Sequence, residues 1–188
     1  MAGLDDVDEQ AREDEAHGAV VMAGLAFVHG VWRWRDLLAA WGFVDPLLRR
    51  CWAQAWLYPI ADAVRACGED PDAVVEAFTA DRPAHRLWKR FAREQMRHLL
   101  RAYPKDLIEW APTARHILVG PDLEMLYLLP VPAEGDIVED VRENLPLLMR
   151  FDPAFGWRVL SFVGESVPVP GWPPALEGWQ LDPAPFQA

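Results

Sequence analysis

The bases between residues 83 and 102 carry the clearest chemical implication in the chain. At about 100° per residue, Arg86, Lys89, Arg90, Arg93, Arg97 and Arg101 fall on one face of a helix. Leu87, Trp88, Phe91, Ala92, Met96, Leu99 and Tyr103 fall largely on the other, and Glu94 is the one acid in the segment. Adjacent like charges repel by about a few tenths of a kcal/mol per pair, so such a line calls for an anion. Three sources of anion are open: the protein's own carboxylates and counterions, an acidic patch on a protein partner, or nucleic acid. The last is disfavoured, because a net charge of −11 leaves the rest of the surface repelling phosphate.

Tryptophan is the second candidate binding chemistry, with ten in the chain. Trp41, Trp52, Trp56 and Trp88 sit in phase with helix core positions and are expected to pack inside. Trp172 and Trp179 lie in a proline-rich tail, where a bare indole is unfavourable, so they are expected to pack onto the domain or onto a partner. With the basic line they form the set of candidate binding residues.

Catalytic and metal chemistry find little support. None of the five histidines, His17, His29, His85, His98 and His116, pairs with another at the i, i+4 spacing of a helical zinc site. No glycine-rich phosphate loop or nucleophile elbow occurs, and no cofactor is implied. An acid–base site needs only a carboxylate converging with His or Tyr. Asp36, Asp62, Tyr58, His85 and Tyr127 are conceivable contributors, and none has a distinguishing spacing. Cys51 and Cys67 fit no metal or redox spacing and are expected to be reduced thiols.

These side chains must be held by a small set of elements. Residues 1–18 carry seven acids and one arginine and read as an acidic arm. Residues 19–166 read as a single α+β domain, helical over 19–113 and β-rich over 114–166, and 167–188 as an extended, partly polyproline tail. Asp45-Pro46 and Asp70-Pro71 are helix starts, the Asp capping free N–H groups and the Pro occupying a position that needs none. Pro59 should interrupt the first of these helices and Gly68 should end it. A further helix is expected from about Pro83 to Ala102. After Pro112 the apolar period changes to that of strands. Segments 116–119 and 124–129 flank Gly120-Pro121-Asp122, and 145–151 and 157–163 flank residues 152–156, predicting two hairpins. The helical stretch 19–120 holds fourteen bases and eleven acids, whereas 121–188 holds three bases and eleven acids.

Hydrophobic residues at 52% and charged residues at 25% place the chain among globular proteins. The longest run without a polar side chain, Ala19–Val28, is about half of the roughly 20 residues a membrane span needs. It follows acidic rather than basic residues, so it reads as neither a span nor a signal peptide. Sixteen arginines against two lysines suggest a GC-rich bacterial source, and reduced thiols suit a cytoplasm. Helices followed by two hairpins, the last pairing Leu147–Arg150 with Gly156-Trp157-Arg158-Val159-Leu160, resemble the NTF2-like superfamily over about residues 35–165. That resemblance implies a curved sheet wrapped around helices as a cone with a cavity, in enzymes and non-catalytic binding proteins alike. The expectation is a non-enzymatic binding or adaptor protein whose partner has an acidic patch or is a second copy of the chain. The alternative is a cavity-type small-molecule binder or acid–base enzyme.

Overall fold

A computed structural model describes residues 17–102, 109–131, 144–162 and 166–178. The apolar run after Gly18 is part of α1, residues 17–28, which passes through a π turn, His29–Arg33, into the short α2, Leu37–Trp41. A side chain at Gly24 would overlap the Leu126 side chain of the sheet, so the helix comes close to the strands there. A Cβ at Gly30 would stand 2.7 Å from the backbone nitrogen and the Cβ of Ala40. Asp36 caps α2 through Leu38 N–H.

α3, Pro46–Leu57, begins at the expected Asp45-Pro46 pair, with Asp45 accepting from Leu47 N–H at 2.8 Å. Pro59 converts its end into a 3-10 turn, Tyr58–Ile60, from which α4, Ala61–Ala66, continues to Gly68 at φ 79°. α5, Pro71–Thr79, starts on Asp70-Pro71 as expected. α6 is Trp88–Ala102 and therefore begins later than the sequence pattern predicts. The cause is tertiary. The Trp41 indole donates to the carbonyls of Phe78 and Ala80, and Asp81 pairs with Arg49, which ties the connection to α2 and α3 in a non-helical path.

β1, Glu109–Gly120, and β2, Leu123–Val131, form the first hairpin; β3, Leu145–Asp152, and β4, Gly156–Ser161, form the second. Together they make one antiparallel sheet in the order β1-β2-β3-β4. β1 starts ahead of Pro112, which pairs in register with Leu128 on this edge strand; an irregularity follows between Pro112 and His116, and Trp110 packs on Trp32 at 5.6 Å. The outer edge of β4 is joined to the helical layer: Asp45 N–H donates to Val159 O, and Val159 N–H donates to Phe43 O. β5, Ser166–Val169, and β6, Ala175–Gly178, pair as a separate two-stranded sheet, the edge setting in which strands tolerate proline.

The chain is thus an α+β fold with N-terminal helices packed on an antiparallel sheet of hairpins. The main core lies between the layers, with Phe27, Trp41, Phe78 and Phe91 meeting Leu126, Leu128, Leu145, Leu147 and Val159. A smaller cluster, centred on Met125, Leu148 and Leu160, lies on the opposite face of the strands.

Candidate binding surfaces on helix α6

α6 is fixed by aromatic packing. Trp88 meets Trp41 at 4.9 Å and Phe78 at 5.6 Å, and Phe91 meets Phe78 at 4.9 Å and Trp56 at 5.7 Å. Met96 and Leu99 complete the buried side. With that face anchored, Lys89, Arg93, Arg97 and Arg101 repeat every fourth residue on the exposed side, a row about 18 Å long at 1.5 Å per residue. None of these four makes a salt bridge to a described residue. Arg90 is different, its Nε donating to Glu94 at 3.1 Å. Arg86 lies outside the helix, and its Nε donates to Glu69 at 2.7 Å. That hydrogen bond holds the Glu69 carboxyl below its usual range.

The row is a ridge between two depressions. On one flank, Arg35, Arg93 and Arg97 rim a groove of about 400 Å³ whose apolar lining includes Leu37, Ala92, Met96 and Leu100. Asp36 also lines it, with one oxygen engaged in capping α2. Arg35 holds a left-handed backbone at φ 53°, a conformation that costs a non-glycine residue free energy and marks the corner between α1 and α2. On the other flank, a cleft of about 510 Å³ opens between α3, α6 and the β5–β6 hairpin. Its polar groups include Glu94, Gln95, His98 and Ser161, and its apolar walls include Trp52, Trp56 and Phe162. The Trp56 indole donates to Glu94 at 2.6 Å. That bond, and then Arg90, hold the Glu94 carboxyl below its usual range. Burial pushes the Cys51 thiol at the cleft floor up to about 11, so it stays neutral.

Trp172 is spent on the protein itself. Its ring packs against the main core, its N–H donates to Asp72 at 3.0 Å, and the adjacent Gly171 N–H donates to Gln54. Trp179 lies outside the described residues, as do residues 1–16 of the acidic arm and residues 132–143 between the two hairpins; His17 and Gly18 of the arm belong to α1. The acid–base candidates are not brought together in the cleft. Asp36 caps α2, Asp62 pairs with Arg65 in solvent, and Tyr58 is half exposed on the 3-10 turn. His85 stands 3.5 Å from Glu69, and Tyr127 lies against the smaller cluster. Among the described residues no group of three His, Cys, Asp or Glu is placed to hold a metal ion.

A buried charge network that the sequence pattern did not reveal lies at the start of α3. Arg49 donates to Val44 O and Thr79 O and pairs with Asp81 at 2.7 Å, and Arg158 reaches the same carboxylate at 3.3 Å. Arg150 grips Asp45 through two bonds of 2.6 and 2.8 Å. Arg49 Nη2 and Arg158 Nε have no partner among the described residues. α3 is enclosed on several sides, so Arg49 and Gln54 are buried beside Leu48, Cys51 and Leu57, and no local sequence pattern marks them.

Fold and surface therefore define an α+β protein with a helix-borne cationic ridge and a groove on each side of it. No protein-family model, curated protein or solved structure matches the chain. Among the described residues no helix is long and apolar enough to cross a membrane.

Proposed function

We propose that this is a non-enzymatic binding or adaptor protein of a bacterial cytoplasm that docks an acidic, amphipathic segment of a protein partner along α6. The observation that carries the reading is the exposed row Lys89, Arg93, Arg97 and Arg101, which lacks salt bridges to described residues, beside an apolar-floored groove rimmed by Arg35. Carboxylates seat on the guanidinium forks and apolar side chains enter between Leu37 and Met96, the mode by which a helix or strand is read in a groove.

The test uses fluorescence anisotropy with a labelled synthetic peptide of Leu and Glu at helical spacing, alongside a random single-stranded DNA oligomer. The peptide should bind the full chain, weaken as salt rises from about 50 to about 300 mM, and lose at least about tenfold in affinity in R93E/R97E. DNA binding tighter than peptide binding, or a double variant with undiminished affinity, defeats the proposal.

A second reading, an NTF2-like cone with a ligand cavity, is supported by the layer order and by register irregularities in β1 and between β3 and β4, which bend strands.

A further inference from the structure

We propose that the cleft between α3, α6 and the β5–β6 hairpin binds a flat aromatic molecule that carries a protonated amine. The site is separate from the ridge and groove that dock a partner, and it selects the opposite charge. Its volume of about 510 Å³ lies within the range of small-molecule sites. Trp52 and Phe162 meet edge to face at 5.7 Å, so one corner of the cleft is a braced aromatic wall. Trp56 forms the adjoining wall, and its indole is pinned by donation to Glu94. Pro168 and Pro174 of the tail hairpin line the cleft as well and present rigid apolar rings.

Among the described residues lining the cleft, Glu94 is the one carboxylate. One carboxylate oxygen accepts from Trp56 and the other from Arg90, which leaves each oxygen a further lone pair for an incoming donor. Held ionised by these two bonds, the carboxylate cannot become a donor near neutral pH. The Arg90 side chain is 61% exposed, but it is held by Glu94 and lies 5.7 Å from the centre of the Trp56 ring, so an incoming ammonium must displace that cation to take its place. The Trp56 ring, against which Arg90 now stacks, would then offer its face to the same positive group. An anion of the same shape meets a fixed negative charge and is rejected.

The experiment follows the indole N–H resonances of the full-length protein by NMR during titration with tryptamine and, separately, with 3-indolepropionate. W56F assigns the Trp56 signal. Tryptamine should shift that signal saturably and 3-indolepropionate should not. E94Q should weaken tryptamine by at least about tenfold, the worth of a charged hydrogen bond. A55W, which adds bulk at the mouth of the cleft and leaves Glu94 in place, should abolish binding, and it decides the matter if E94Q fails to fold. The proposal is overturned if tryptamine gives no saturable shift, if both probes bind alike, or if binding persists unchanged in A55W.

Discussion

Asp81 shows how much can depend on one half-exposed carboxylate. Its side chain is 49% exposed, yet it is the shared partner of Arg49 and Arg158, which are 1% and 6% exposed. Burial by itself would raise its pKa, but the hydrogen bond and charge of Arg49, joined by Arg158, outweigh that and hold the carboxyl below the usual aspartate range. Asp81→Asn leaves two buried guanidinium groups without their anion, a loss on the order of 2 kcal/mol of stability at pH 7. Because the folded-state pKa is depressed, the contribution is complete above the ordinary aspartate range and disappears as pH falls through the lowered value. Urea denaturation should therefore show the wild type and D81N differing at pH 7 and converging in acid. A difference that is constant with pH would mean that the asparagine acts through packing rather than charge.

At the scale of elements, the close approach of the π turn after α1 to α2 is the most exacting contact. Gly30→Ala places a methyl group 2.7 Å from the Ala40 backbone, where only backbone movement makes room, and should cost about 2 kcal/mol. Gly18→Ala, with nothing within 4 Å, should be neutral or stabilising by about half a kcal/mol. Thermal melts of the two variants should move in these unequal ways, and equal shifts would refute the close approach. The sequence revealed the elements whose signals are local. Asp45-Pro46, Asp70-Pro71, Pro59 and Gly68 each act on the adjacent turn, and each stands where expected. What it concealed is set by distant partners. The start of α6 depends on Trp41 and Arg49 holding the preceding connection, and β1 extends past Pro112 because of its pairing with β2. The same division holds at the sites. The α6 arginine row is a periodicity and was legible, except that Arg86 sits ahead of the helix, on Glu69. The cleft joins residues of α3, α6, β4 and β5, and no local pattern announces such a union. Glu94 looked like an interruption of a basic face, and its bond to Trp56 depends on how α3 packs beside α6.

For the molecule as a whole, the tail hairpin works as a clamp on the helical layer. Pro168, Gly171 and Trp172 reach the cleft, Gln54 and Asp72 respectively, so elements far apart in the chain are held by its C-terminal part. Deleting residues 167–188 uncovers the apolar surface beneath Trp172 and removes a wall of the cleft. Such a truncation should lower the melting temperature by several degrees, since about 1 kcal/mol corresponds to a few degrees for a chain of this size. An unchanged melting temperature would show that the hairpin adds nothing to the stability of the fold.

The hydrogen bonds that join Phe43 and Asp45 to Val159 also bear on the order in which the protein is made. The corner between α2 and α3 leaves the ribosome about 114 residues ahead of Val159, its backbone partner in β4. Until then the early helices carry an apolar face with no sheet to cover it, and the buried Asp45 lacks the guanidinium of Arg150. The helical layer therefore cannot complete its core until the strands that cover it have been made.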